Sequence, residues 1–139
     1  MTETALTTRD RLLEAARELF ASEGFHATTT PLISSRAGVA EGTIYRHFPS
    51  KQALLNAVYQ DAMRWGTATV RAAAAGGGRV ADRLGGLARS WLDAAEARPA
   101  LVRLLFTWRP DQQLDEHSTE AAREFRAELE HLVAQGKQE

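Results

Sequence analysis

The sequence predicts an all-α chain: an N-terminal three-helix helix-turn-helix domain followed by a helical bundle. Three observations predict it. Apolar residues recur at helical spacing through almost all of the 139 residues. No stretch alternates convincingly between apolar and polar residues as a half-buried strand would. A short glycine-centred reversal, Gly38-Val39-Ala40, separates two brief helical stretches. The first domain is assigned to about residues 1–48 and the bundle to 49–139, with a long fourth helix, about 51–74, as connector.

Each element has its own signals. Leu12, Leu13, Ala16, Leu19 and Phe20 form one face of a first helix over about 8–23. Thr7 is its N-cap and Asp10 an acidic capping-box partner. Gly24 is placed to end it in a left-handed conformation, with Phe25 folding back as the closure. Thr28, Thr29 and Thr30 offer cap hydroxyls for a second helix, in which Pro31 sits where a first turn tolerates it. That helix runs to about Ala37, and a third spans roughly Glu41 to His47. Pro49 bars continuation and Ser50 caps the fourth helix, whose stripe is Leu54, Leu55, Val58, Ala62 and Trp65. Gly76-Gly77-Gly78 punctuates the chain before a fifth helix, about Arg79 to Ala97, ended by Pro99. A short sixth helix covers Ala100 to Trp108, and Pro110 to His117 read as a polar loop. The last helix, about Ser118 to Gln135, turns Ala122, Phe125, Leu129, Leu132 and Val133 inward.

Composition narrows the class. Hydrophobic residues at 44% and charged residues at 25% are ordinary for a globular protein, which argues against disorder. The absence of cysteine excludes disulfides and thiolate metal sites. Residues 1–11 hold no signal-peptide core, and no run approaches the roughly 18 apolar residues of a membrane span. The expectation is a cytoplasmic protein with no membrane partner. The net charge is −1, and residues 1–51 carry six acids and six bases, so no basic surplus announces nucleic acid. The excess of Arg over Lys fits GC-rich codon usage and is not evidence of nucleic-acid binding. Any such function must rest on motif geometry.

That motif occupies residues 28–51, TTTPLISSRAGVAEGTIYRHFPSK. Gly38 can take positive φ where the chain reverses, and the small Ala37 lets the two helices cross closely. Ile33, Val39, Ile44 and Phe48 can pin both helices onto the first. The remaining face of the third helix then carries Glu41, Gly42, Thr43, Arg46 and His47, with Tyr45 at its edge. Such a polar face on a short helix fits end-on into a major groove.

The run from Ala37 to Lys51, AGVAEGTIYRHFPSK, resembles the signature of the TetR family of bacterial transcriptional regulators (the TetR/AcrR type). Arg11 to Ala16, Leu19-Phe20 and Gly24-Phe25 resemble that family's first helix. The likeness covers about residues 8–60; beyond it only the helical layout and Pro99 to Leu105 are similar. Thr30, Pro31 and Ser34 depart from the usual residues. The resemblance implies that Thr43, Tyr45, His47 and Lys51 contact phosphates, and that Glu41, Gly42 and Arg46 face base edges. It implies that Thr29 and Thr30 add hydroxyl and backbone contacts to phosphate. Glu41 reads equally as a residue that favours the positive end of the third helix.

It further implies that the bundle is a regulatory domain, that the partner is double-stranded operator DNA, and that a small-molecule effector relieves repression. Trp65, Trp91, Phe106 and Trp108 are the candidate pocket residues, with ordinary bundle core as the plainer reading of each. A homodimer is expected for the family, whose last two helices lie beyond the point where this sequence stops. Leu92, Phe125 and Leu132 are expected to be partly unburied for that reason. A DNA-binding protein without effector control, whose C-terminal helices serve assembly only, is the alternative. No cofactor, metal or catalytic constellation is expected; the E-x-x-H spacing at Glu128 and His131 lacks the second motif that a di-iron bundle requires.

Overall fold

The structure is a computed structural model and describes residues 6–106 and 114–139. Among the described residues every regular element is helical: α1 (Thr8–Glu23), α2 (Thr30–Ala37), a 3-10 turn (Glu41–Thr43), α3 (Ile44–His47), α4 (Lys51–Ala74), α5 (Val80–Ala97), α6 (Pro99–Phe106) and α7 (Glu116–Gly136). No helix among them is long and apolar enough to cross a membrane. The chain divides into two compact units, Met1–Val58 and Tyr59–Glu139. The division falls inside α4 rather than at residues 48 and 49. The start of α4, with buried Leu54, Leu55 and Val58, therefore belongs to the first unit.

In the first unit the capping box closes as the sequence indicates. The Asp10 amide donates to Thr7 Oγ1 at 3.1 Å, and the Thr7 amide donates to the Asp10 carboxylate at 3.2 Å. Leu12, Leu13, Ala15, Ala16, Leu19 and Phe20 are all buried, and α1 packs on α2. Burying each Leu or Phe contributes about 1.5–3 kcal/mol before entropy is set against it. Gly24 corrects one expectation. Its φ of 85° is positive but its ψ of 164° is extended, so the chain leaves α1 without a left-handed turn. Phe25 still folds back, with ring centroids 5.7 Å from Phe20.

Thr29 caps α2 through the Leu32 amide, and Pro31 stands in the first turn. Gly38 is left-handed, φ 72° and ψ 34°, and its amide closes onto the Ser34 and Ser35 carbonyls. The helix expected over Glu41 to His47 opens as a 3-10 turn, with the Thr43 amide bonded to the Ala40 carbonyl at 3.0 Å. Tighter i→i+3 bonding is common at helix starts and shares its residue preferences with the α form. Ile44 and Phe48 are buried one turn apart, and Ser50 Oγ accepts the Ala53 amide at 3.0 Å.

In the second unit α5 packs on α6 and α7. One apolar cluster joins Val70, Val80, Leu87 and Leu132, with Trp91, Phe125 and Leu129 against it. Another joins Tyr59, Met63 and Leu105, with Trp65, Ala122 and again Phe125. Leu132, expected to be partly unburied, is 1% exposed because Val70, Val80 and Leu87 enclose it. Leu92 is exposed, as expected, whereas Val133, expected to point inward, is 43% exposed. Pro99 is the first residue of α6 rather than only the end of α5. α7, expected from about Ser118, begins at Glu116 with Asp115 as its cap: the Asp115 carboxylate accepts the Ser118 amide at 2.8 Å, and Ser118 itself is buried. The expected end of the sixth helix at Trp108 and much of the expected loop lie outside the described residues.

Candidate nucleic-acid interface

The first unit presents an exposed polar surface around α3. Ile44 of α3 and Phe48, its C-cap, are buried, and Tyr45, Arg46 and His47 between them are exposed. Tyr45 is 56% exposed, an unusual position for a large aromatic side chain. Glu41 and Gly42 are exposed on the 3-10 turn, and Thr43 is half-buried. Among the described residues the side chains of Glu41, Arg46 and His47 have no hydrogen-bond or ion-pair partner.

The surface extends onto the start of α2. Thr29 is exposed and its hydroxyl accepts the Leu32 amide at 3.3 Å. Thr30 Oγ1 lies 3.3 Å from the Tyr45 hydroxyl, so the two helices share a polar edge. The fold thus brings together eight of the expected residues: Thr29, Thr30, Glu41, Gly42, Thr43, Tyr45, Arg46 and His47.

Lys51 is placed differently. It is half-buried, and its ammonium donates to the Phe25 carbonyl at 2.8 Å and the Thr28 carbonyl at 3.0 Å. It also sits 4.1 Å from the centroid of the Phe25 ring. Other bases near the motif have internal partners too. Arg36 pairs with Glu18 at 2.7 Å, and the Arg9 guanidinium lies 5.0 Å from the Phe48 ring centroid. Arg46 is thus an exposed cation of the motif with no internal partner among the described residues.

Two supporting residues escape a pattern reading. Thr28 is fully buried, and its hydroxyl reaches the Gly24 carbonyl at 2.7 Å and the Leu19 carbonyl at 3.2 Å. Ser34 is buried and its hydroxyl donates to the Glu41 carbonyl at 3.4 Å, linking α2 to the 3-10 turn. The signal for Ser34 was a hydroxyl at a position where the motif usually carries Ala.

The comparisons agree with this geometry. Residues 12–58 match the family described as "Bacterial regulatory proteins, tetR family". The HTH-type transcriptional regulator UidR of Escherichia coli (strain K12) is 44% identical over 54 residues, 39% of this chain and 28% of that protein. The HTH-type transcriptional repressor KstR2 of Mycobacterium tuberculosis (strain ATCC 25618 / H37Rv) is 33% identical over 94 residues, 68% of this chain and 47% of the relative. A crystal structure of a tetR family transcription regulator from Shewanella sp. PV-4 superposes with a TM-score of 0.75 at 28% identity, over 95% of this chain and 71% of that one. The chain belongs to the TetR family.

This TetR-family chain spans less than half the length of the two sequence relatives named. The family match runs from within α1 to the start of α4 and ends at residue 58, where the first unit also ends. In the second unit the candidate pocket residues divide. Trp91 meets Phe106 edge-on at 4.8 Å and Phe125 at 6.3 Å, and its indole N–H donates to Thr69 Oγ1 at 2.9 Å. Trp65 belongs instead to the cluster around Tyr59 and Met63. Phe106 is half exposed, and Trp108 lies outside the described residues.

Proposed function

We propose that the protein is a sequence-specific DNA-binding transcriptional regulator. The observation that carries the reading is the exposed, uncommitted set Glu41, Arg46 and His47, displayed beside Tyr45 on a short helix whose opposite side is buried. Arg46 is the base reader in this proposal, because a guanidinium can donate two hydrogen bonds to a guanine edge. Glu41 and Gly42 stand beside it at base edges. Thr29, Thr30, Thr43, Tyr45 and His47 contact phosphates and fix the register. In a homodimer two such surfaces would enter successive major grooves about 34–36 Å apart.

In finer terms the regulator is a repressor released by a small effector. The support is the aromatic group of Trp91, Phe106 and Phe125, one residue from each of α5, α6 and α7, which suits an apolar ligand. Trp65, which like Phe125 packs against the cluster around Tyr59 and Met63, is proposed to extend this lining, and Trp108 is a candidate from the sequence alone. A library of apolar small molecules screened by thermal shift tests it. A ligand that raises the melting temperature and weakens DNA binding supports it, and stabilisation without an effect on DNA refutes effector control.

The central reading is tested by selecting duplexes from a random pool with the full chain. Enrichment of one sequence motif is expected. Arg46→Ala should lose about 1–3 kcal/mol of discrimination at one base pair and leave the others unchanged. Failure to enrich any motif refutes the proposed function, and an unchanged motif with Arg46→Ala removes that residue from the reading set.

A further inference from the structure

The ammonium of Lys51 occupies a site built from three groups of the connection between α1 and α2. Two are carbonyl oxygens, Phe25 at 2.8 Å and Thr28 at 3.0 Å, and the third is the Phe25 ring, centred 4.1 Å away. An ammonium has three donors and no acceptor, so two carbonyls and a ring face satisfy it almost completely. Its position at the first residue of α4 is unfavourable for the helix dipole, and the paired carbonyls offset that cost.

The location of those carbonyls gives the contact its consequence. Thr28 immediately precedes Thr29, the residue that caps α2. The same Thr28 is tied through its hydroxyl to the Gly24 and Leu19 carbonyls at the end of α1. Thr30 then meets Tyr45 through the hydroxyl pair at 3.3 Å. A continuous run of bonded groups therefore leads from Lys51 through Thr28 to the start of α2, and on to the exposed edge of α3.

We infer that Lys51 is a positioning residue, a clasp that fixes the DNA-facing end of α2 to the start of α4, and not a phosphate anchor. The inference rests on the proposed DNA binding for its functional readout, but the clasp itself can be measured without DNA. A phosphate anchor and a clasp differ in what salt does. Each phosphate neutralised adds about 0.9 to the slope of log affinity against log salt. A clasp adds nothing to that slope, because its charge is already partnered inside the protein.

The test compares wild type, Lys51→Met and Lys51→Arg on one duplex selected by the wild-type chain, across a series of salt concentrations. Lys51→Met keeps the aliphatic stem and removes the donors. Lys51→Arg keeps the charge but replaces a compact point donor with a wide planar fork that does not fit two carbonyls and one ring face. The expected result is a loss of roughly 3- to 30-fold in affinity for both variants, the scale of measured couplings through a linking residue, with the wild-type salt slope retained. Amide hydrogen exchange of the free protein should rise over residues 26–30 in both. A slope reduced by about 0.9 in Lys51→Met and restored in Lys51→Arg, with exchange unchanged, would overturn the clasp and establish a phosphate contact. Unchanged affinity in Lys51→Met would also overturn it. If the wild-type chain selects no duplex, the proposed function fails. The clasp then stands or falls on exchange over residues 26–30 alone, with global melting checked in parallel to separate local opening from unfolding.

Discussion

The hydroxyls of Thr30 and Tyr45 lie 3.3 Å apart, one on the first turn of α2 and the other on α3. The pair is exposed, so water competes for both groups and the bond adds little to stability. Its effect is orientation, since it holds the Tyr45 ring at the edge of the surface assigned to DNA. Tyr45→Phe should therefore change the unfolding free energy by less than about 0.5 kcal/mol. It should weaken binding to a selected duplex several-fold. Thr30→Val should do the same, and the double variant should lose less than the sum of the two. Additive losses in the cycle would show that each hydroxyl meets DNA independently.

Two glycines of the motif should respond in opposite ways. Gly38 sits at φ 72°, where a β-branched residue is strained whatever the space around it. Gly38→Val should cost about 1–3 kcal/mol of stability and cripple DNA binding with it. Gly42 has no such φ, and a Cβ there would meet nothing within 4 Å. Gly42→Ala should leave the melting temperature unchanged or raised, since alanine limits the unfolded chain more than glycine does. Its effect should fall on DNA affinity, where an added methyl group meets a base edge. A melting temperature lowered by Gly42→Ala would show that this glycine serves the fold after all.

Much of the first unit was legible because local chemistry decides it. Thr7 and Asp10 close a box within one turn, and Gly38 reverses the chain where only a small set of residues can. The face of α1 follows from spacing alone. Residues whose partners lie far along the chain were less legible. Lys51 reads as a phosphate contact until the fold returns Phe25 and Thr28 to it across more than 20 positions. Ser118 reads as the start of the last helix, but that helix begins two residues earlier behind Asp115, and Ser118 turns inward to accept the Gln60 amide at 3.0 Å. Val133 and Leu132 are neighbours on α7, and only the packing of Val70, Val80 and Leu87 decides which is covered. For the candidate interface, sequence placed the residues of α2 and α3. It did not reveal the hydroxyl pair of Thr30 and Tyr45, nor which cations were already partnered.

Acid should loosen the helix caps that depend on the carboxylates of Asp10 and Asp115. The backbone N–H of Ser118 holds the Asp115 carboxyl below its ordinary value of 3.8, more than burial raises it. Hydrogen bonds from Thr7, side chain first, hold Asp10 below the same value. A carboxyl depressed in the folded state contributes stability that is present above its unfolded pKa. That contribution is lost as pH falls through the lower folded value. Stability should therefore be flat near neutrality and decline below about pH 4. Asp115→Asn keeps a capping oxygen without the titration. It should show a slightly lower melting temperature at pH 7 and a shallower decline in acid. An acid decline as steep as that of the wild type would assign the loss to other carboxylates.

Gly66 tests how tightly the second unit is packed. It lies within α4, and a Cβ built on it would stand 2.7 and 2.9 Å from two atoms of the Phe125 ring and 3.0 Å from Leu105 Cδ1. Real methyl groups do not approach that closely, so the ring or the helix must move. Phe125 cannot move freely, because its ring also meets Trp91, and it packs against both apolar clusters. Gly66→Ala should therefore destabilise by about 1–3 kcal/mol, the usual cost of overpacking, although alanine is the better helix former. Phe125→Leu should destabilise on its own by opening a cavity beside Trp91. The two changes together should cost less than their sum, because leucine vacates the space that the new methyl group needs. Urea denaturation of the four proteins measures the cycle. A stabilising effect of Gly66→Ala alone would show that the ring gives way at no cost. A purely additive pair would show that the glycine is not held by Phe125.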